Sequence, residues 1–431
     1  MTATDHGVSN QGYRYQPVCK RSQGAADARK RPVRYTSVSE QADDKADAVP
    51  CDRLPVTCCR KNVTARSVTA FLLFFTSLLF CFQNADSADA PGTLSQDDSN
   101  NSVTVLIYHR FGEERYPSTN VSVAVFREQL TYLQTNGYQV VPLATLYQYL
   151  AEKRPLPEKA VVITIDDAYK SVYQHAWPLL QSFGYPFTVF VYVKATDNGH
   201  WDYMTWDQVR ELQAKGVDFQ SHGYGHHRFG TRPAEMSEQE YREWIAADFS
   251  KSQTIMEREL GSRPRFLAAP YGEYNQTYIE LAKAAGFEAV FSQDPGSVSN
   301  DIDFFSIPRE PILGDDWSTI EHFATVLDRV DLPLDTMVPG IARLQNQTPP
   351  LFSARLLYPD QYRPGSVGIY ISELGWQQAT VEGDTVRIAN TKPLQRRLNR
   401  VAVSGREKGT GRTAIRFWLL VNEFSLEVPK D

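Results

Sequence analysis

Ala160-Val161-Val162-Ile163-Thr164-Ile165-Asp166-Asp167-Ala168-Tyr169 is the stretch on which the fold of this 431-residue chain turns. An unbroken apolar, β-branched run stops at two adjacent acids. A run without polar alternation is the pattern of a parallel strand covered on both faces. Two neighbouring carboxylates repel each other and lose hydration at such a strand end, so the position demands a positive partner. A metal ion satisfies the demand. One acid would bind it, and the other would stay free as a base.

Outward from this strand, the chain alternates strand and helix from Val103 onwards. The patterns predict further strands at 103–109, 138–141, 186–193, 217–220, 265–269, 289–292 and 304–308. They predict helices at 125–136, 143–153, 206–215, 237–260, 276–285 and 319–327. Another helix carries Val172, Trp177, Leu180 and Phe183, and residues 194–205 read as a loop. About seven βα units without a Gly-rich phosphate loop predict an α/β fold of the distorted or incomplete (β/α) barrel kind, rather than a dinucleotide-binding sheet. Chemistry in such barrels sits at the C-terminal ends of the strands, where Asp166-Asp167 falls.

The net charge of -6 gives no sign of a nucleic-acid partner. All five cysteines lie within the first 81 residues, so a metal further on must be held by His and carboxylate. Residues 1–67 are polar and read as disordered. Residues 68–82 are apolar and follow Arg60, Lys61 and Arg66. At about 15 residues this run is short for a bilayer span and suits a signal peptide. Ala85, Ala88 and Ala90 offer small residues for cleavage. Residues 68–90 therefore read as a signal peptide, with translation starting downstream of Met1, or as an uncleaved inner-membrane anchor. Both readings export the rest to the periplasm or the exterior. Residues 91–102 read as a polar linker.

A second motif, Ser221-His222-Gly223-Tyr224-Gly225-His226-His227, follows another predicted strand and holds three of the eight histidines. His222 and His226 are four apart, so a helical turn or compact loop lets both rings face one point. Two imidazoles and one carboxylate leave an open position, as a catalytic metal site requires. Alone, the histidines would read as surface residues of a Gly-rich loop; the double acid changes that. A third strand end carries Pro270-Tyr271-Gly272, a tight turn able to present a backbone N–H to a developing oxyanion.

In this order, Thr164-Ile165-Asp166-Asp167, Ser221-His222-x-x-x-His226 and Pro270-Tyr271-Gly272 resemble the polysaccharide deacetylase family, the NodB-homology domain of carbohydrate esterase family 4. Leu106-Ile107-Tyr108-His109 and Met204-Thr205-Trp206-Asp207 extend the resemblance over 103–327. It implies a divalent metal, usually Zn2+, and removal of acetyl groups from N-acetylated sugar polymers. It further implies Asp167, His222 and His226 as metal ligands, Asp166 as general base and the Tyr271 N–H as oxyanion donor. His227 stands where the family usually has Pro and competes with His226, which the spacing favours.

The sequence departs from the family at two points. Ala268 replaces an Arg that orients the base, and no Leu-x-His motif follows, because no histidine lies between His227 and His322. Arg309 is the candidate for the missing guanidinium; an ordinary salt bridge is its plain alternative. His109 is the first candidate for general acid or substrate contact, and His322 a weaker one. This altered pattern is more similar to biofilm-exopolysaccharide deacetylases than to chitin or peptidoglycan ones. Pro270, Trp201 and Tyr203 are candidate substrate contacts, since aromatic faces suit sugars, whereas Trp206 reads as core.

The deacetylase-type region is expected to span 103–330, followed by a linker at 331–349. Short alternating strands separated by Pro, Gly and Asp turns then predict a small all-β, sandwich-like domain over 350–431. Two classes of function follow. One is a metal-dependent N-deacetylase of an envelope or extracellular polysaccharide, with an O-acetyl esterase as its variant. The other is a glycan-binding relative that has lost turnover. The intact acids and histidines favour the enzyme.

Overall fold

The computed structural model describes residues 102–341 and 343–424. The segments read from the sequence as disordered, apolar or linker before Ser102 lie outside them.

Every residue of the central strand is buried, as its unbroken apolar run requires. In chain order the first strands are β1 (Thr104–Tyr108), the short pair β2 (Arg110–Phe111) and β3 (Asn120–Val121), β4 (Gln139–Val140) and β5 (Ala160–Asp167). Then come β6 (Thr188–Val191), β7 (Asp218–Ser221), β8 (Phe266–Ala268), β9 (Ala289–Phe291) and β10 (Glu310–Pro311). One parallel sheet runs in the order β10-β1-β5-β6-β7-β8-β9, with β4 pairing on the start of β5. Residues 307–311 span the opening between its edges. Ile307 bridges Phe291 of β9, while Glu310 and Pro311 pair with Leu106 and Ile107 of β1. The result is the distorted barrel expected from the sequence.

The strand predicted over 304–308 is thus displaced. Asp303 accepts a hydrogen bond from the Phe305 N–H at 2.9 Å, which fixes a turn and leaves Ile307 alone to pair before β10.

Alternating residues of β5 divide between two layers. Val162 joins Val105, Phe190, Phe266, Ala268 and Phe291 inside the barrel. Val161, Ile163 and Ile165 face helices outside. The α-helices of the described residues are α1 (Val123–Thr135), α2 (Leu143–Ala151), α3 (Trp177–Phe183), α4 (Val193–Asp197), α5 (Trp206–Ala214), α6 (Glu238–Leu260), α7 (Gln276–Ala284), α8 (Gly314–Trp317) and α9 (Ile320–Leu327). Thr205 and Ser237 start α5 and α6 with capping boxes, and Gly261 ends α6 in the left-handed conformation. Trp206 is buried in the core. Helix α4 replaces the first part of the loop expected at 194–205, because Val193 and Ala195 pack inward.

Two sheets follow, antiparallel except where Val330–Asp331 pairs in parallel with Ala414–Ile415. They comprise β11 (Val330–Asp331), β12 (Leu334–Val338), β13 (Leu351–Leu356), β14 (Gly368–Ile371), β15 (Gly375–Gln378), β16 (Thr380–Glu382), β17 (Thr385–Ala389), β18 (Leu398–Arg406) and β19 (Thr413–Val421). Their orders are β11-β19-β18-β14-β15 and β12-β13-β17-β16. Phe352, Val386, Ile369, Val401, Trp418 and Leu420 fill the space between them. The expected linker at 331–349 is corrected here. It holds the end of β11 and all of β12, drawn in by pairing with β13 and by burial of Leu332. Leu419 and Val421 point the other way and pack with Tyr278, Ile279 and Leu267 of the barrel region.

Candidate active site

The parallel register brings Asp166-Asp167, Ser221-His222, Ala268-Ala269 and Phe291-Ser292 to one end of the barrel. Asp166 faces inward with Thr164. Arg309, fully buried on the closing segment, forks onto it: Nη1 donates to Oδ1 at 2.7 Å and Nη2 to Oδ2 at 2.8 Å. Arg309 is itself fixed, because Nε donates to the Ser292 carbonyl at 2.8 Å and Nη1 to Thr164 Oγ1 at 3.1 Å. The salt bridge considered for Arg309 therefore exists, and its acid is Asp166. Burial alone would raise the Asp166 carboxyl; the Arg309 guanidinium holds it below the usual carboxylate range.

Asp167 ends the strand with φ 73°, and Ala168 follows at φ 61°. This left-handed pair turns the second acid away from Arg309 and toward the histidines. Asp167 Oδ1 lies 3.1 Å from His226 Nε2 and 3.6 Å from His222 Nε2. Burial opposes its ionisation, yet the adjacent His226 ring holds its carboxyl below the usual range.

The histidines come from the loop after β7. His222 Nδ1 is 2.9 Å from the Ala268 carbonyl, so Nδ1 carries the proton and Nε2 presents a lone pair to Asp167. Burial, ahead of the surrounding charges, lowers the His222 pKa to about 4, so the ring is neutral at neutral pH. Asp248 on α6 ties the loop down, accepting from the N–H groups of Tyr224 at 2.8 Å and Gly225 at 2.6 Å. Gly223 has φ 75°, and a Cβ there would stand 2.9 Å from Asp248 Oδ1. Only glycine fits that approach. His226 then adopts φ 54°. His227 turns away, packing on Trp244 and Phe229 with ring centroids 4.8 and 5.5 Å distant. The choice between the two histidines thus falls to His226.

Among the described residues, Asp167, His222 and His226 form the one group of three ligating side chains, with atoms within 4.8 Å of one another. Asp167 Oδ1 and His222 Nε2 are buried without a hydrogen-bond partner. Such orphaned atoms cost about 1–3 kcal/mol each, and a cation facing both removes that cost. Ligand atoms about 2.1 Å from a tetrahedral ion stand about 3.4 Å apart, close to the separations across Asp167. The residues present fit a divalent metal.

Pro270-Tyr271-Gly272 forms a 3-10 turn after β8. Pro270 is buried, whereas Tyr271 is 37% exposed and left-handed, at φ 58°. The Tyr271 ring meets the His226 ring at 4.5 Å, beside the metal-ligating group. Gly272, at φ 65°, passes Gln293 so closely that a Cβ would stand 2.6 Å from that side chain.

His109, at the end of β1, is buried with Nδ1 unpartnered. Burial lowers its pKa, and the charges of Asp167, Asp166 and His226 all act on it. It therefore borders the site. His322 does not: it sits on α9 against Trp317, 5.7 Å between ring centroids. Tyr203 stacks on Tyr169 at 4.8 Å and meets Tyr192 at 5.6 Å, and Tyr192 lies against His226 at 5.0 Å. Trp201 stands further out, 56% exposed, with the Arg115 guanidinium 4.8 Å over its ring.

Reading the sequence missed Tyr169, Tyr192, Arg110 and Asp248. Arg110 donates to Asp202 at 2.7 Å and lies 3.4 Å from the Tyr169 ring centre. Tyr169, two residues past the double acid, was the one with a positional signal; the others carry none.

Residues 153–290 match the family described as polysaccharide deacetylase. A poly-β-1,6-N-acetyl-D-glucosamine N-deacetylase of Escherichia coli K12 is 29% identical over 245 residues, covering 48% of this chain and 36% of that protein. The chain thus spans little more than a third of that relative's length. The Staphylococcus epidermidis protein of the same name is 24% identical over 238 residues, covering 51% of this chain and 82% of its own. Among solved structures, IcaB from Ammonifex degensii aligns with a TM-score of 0.46 and 28% identity, over 53% of this chain and 97% of that one.

Proposed function

Residues 153–290 match the polysaccharide deacetylase family, and on that likeness and the site geometry we propose that the chain is a metal-dependent hydrolase removing acetyl groups from an N-acetylglucosamine polymer. The observation that carries this reading is the convergence of Asp167, His222 and His226 beside an Asp166 that is gripped separately by Arg309. A glycan-binding protein has no need of a second, arginine-held carboxylate beside such a triad, here with Asp166 Oδ2 3.7 Å from His222 Nε2. The names of the two relatives support a β-1,6-linked polymer as substrate.

Asp167, His222 and His226 would hold the metal, and Zn2+ suits two imidazoles and one carboxylate. When bound, it would polarise the acetyl carbonyl and ease deprotonation of the attacking water. Asp166 takes the proton of that water. Both its oxygens keep lone pairs beyond those used by Arg309, whose fork holds the carboxylate in one orientation. The Tyr271 N–H donates to the oxyanion of the tetrahedral intermediate. His109 protonates the departing amine, a poor leaving group until protonated. Tyr203 and Trp201 present ring faces to sugars on either side of the acetyl group, and Pro270 shapes the turn beneath it.

The apolar run at 68–82, with basic residues before it, supports export to the periplasm or exterior, by a cleaved signal or a retained anchor. Among the described residues no helix is long and apolar enough to cross a membrane.

The test is acetate release from β-1,6-linked N-acetylglucosamine oligomers by the purified protein, with and without a chelator. Release that stops with chelator and returns with Zn2+ is the expected result. A fully metal-loaded protein that frees no acetate from any N- or O-acetylated glycan would leave the binding-protein reading. Release from O-acetylated glycans only would make it an esterase.

A further inference from the structure

We propose that Arg397, in the C-terminal β region, is a positioning residue of the active site, acting through Glu273 and Arg228 on the Pro270-Tyr271-Gly272 turn. The inference rests on the deacetylase reading above for what the turn does, though not for how it is held.

Three remote segments meet at Glu273. Glu273 directly follows the turn and is fully buried. A lone carboxylate there would be strongly disfavoured, and two guanidiniums answer it. Arg228, from the histidine loop, donates Nη1 to Oε1 at 2.6 Å. Arg397, immediately before β18, donates Nη2 to Oε1 at 2.6 Å and Nη1 to Oε2 at 2.8 Å. Its Nη1 also reaches Thr231 Oγ1 at 2.9 Å, and its carbonyl accepts from the Asn422 N–H at 2.7 Å. The Arg397 side chain is thus fixed at both ends.

The link reaches the reacting centre through Arg228. Its guanidinium lies 3.5 Å from the centre of the Tyr271 ring, which also meets the His226 ring at 4.5 Å. Tyr271 is left-handed, a conformation that a bulky side chain keeps only when its surroundings impose it. The surroundings are Gly272 wedged at Gln293 on one side and the Arg228–Glu273–Arg397 bridge on the other. A second ion pair between the two regions does not touch the turn: Arg343 Nη2 donates to Glu238 Oε2 of α6 at 2.9 Å. That pair supplies a control for simple attachment of one region to the other.

The test uses the full chain carrying Arg397→Lys, which keeps the charge and loses the two-pronged bond. Arg343→Lys is the control. Hydrogen–deuterium exchange over 269–275 reads the turn without reference to activity. It should quicken by about tenfold in Arg397→Lys and stay at the wild-type rate in Arg343→Lys. With acetate release as readout, kcat should fall by about tenfold, a fraction of the 10²–10³ that outright loss of an oxyanion donor costs. KM and bound metal should not change. In a Tyr271→Ala background the same substitution should lower kcat by less than about twofold, because the ring it acts on is gone. Unchanged exchange over 269–275, or equal loss of kcat in both arginine variants, would overturn the proposal. A wild-type protein without acetate release would overturn the functional reading instead, and the exchange rates would still judge the bridge.

Discussion

The loops at the C-terminal ends of the barrel strands and the sheets after residue 330 obey different economies of structure. The loops hold four non-glycine residues with left-handed φ: Asp167, Ala168, His226 and Tyr271. Among the described residues, none of that kind falls in the sheets. The loops also hold the buried, unpartnered Asp167 Oδ1 and His222 Nε2 aimed at one point. In the sheets the two nine-residue strands β18 and β19 pair in continuous register from Leu398↔Val421 to Arg406↔Thr413. Strain and orphaned polar atoms cost stability, and they persist where a rigid frame over-determines them. The barrel supplies that frame, and the sheets back it through Leu419 and Val421.

The contrast breaks first at His222. His222→Ala should empty the metal site and reduce acetate release to background, by about 10³-fold or more, while thermal unfolding shows a folded barrel; metal analysis and calorimetry check this. Arg309→Lys should come next. It keeps a positive charge beside Asp166 but not the fork, so kcat should fall about 10–100-fold with metal retained. Leu419→Ala should do the reverse. It should cost about 2–5 kcal/mol of stability in denaturant melts, and leave kcat per folded molecule intact. Trp201→Ala should have the smallest effect: an exposed ring lost, stability within about 0.5 kcal/mol, and KM for oligomers raised a few-fold. If Leu419→Ala instead altered kcat at full folding, the sheets would act on the site by a route other than the Arg397–Glu273 bridge, and the assignment of a purely supporting role to this packing would fail.

The sequence announces this site where its signals are local. An apolar run ending in two acids, and histidines four apart after a second run, mark two strand ends on one face without any knowledge of long-range pairing. Arg309 could be proposed but not assigned, because its grip on Asp166 depends on residues 307–311 closing the barrel between β9 and β1. Glu273, Arg228 and Arg397 were invisible for the same reason. Each looks like an ordinary charge among polar neighbours, and only the fold brings them together. The misread linker at 331–349 has a related cause, since β12 exists by pairing with β13 rather than by any strong pattern of its own.

The two acids at the end of β5 carry the central claim, that Asp167 holds the metal while Asp166 does the proton transfer. Metal content and acetate release measured together on Asp166→Asn and Asp167→Asn test it most directly. The account predicts that Asp166→Asn binds metal at the wild-type ratio while turnover drops by about 10²–10⁴-fold, and that Asp167→Asn loses the metal. An Asp166→Asn protein that lost its metal, or one that kept wild-type turnover, would contradict it.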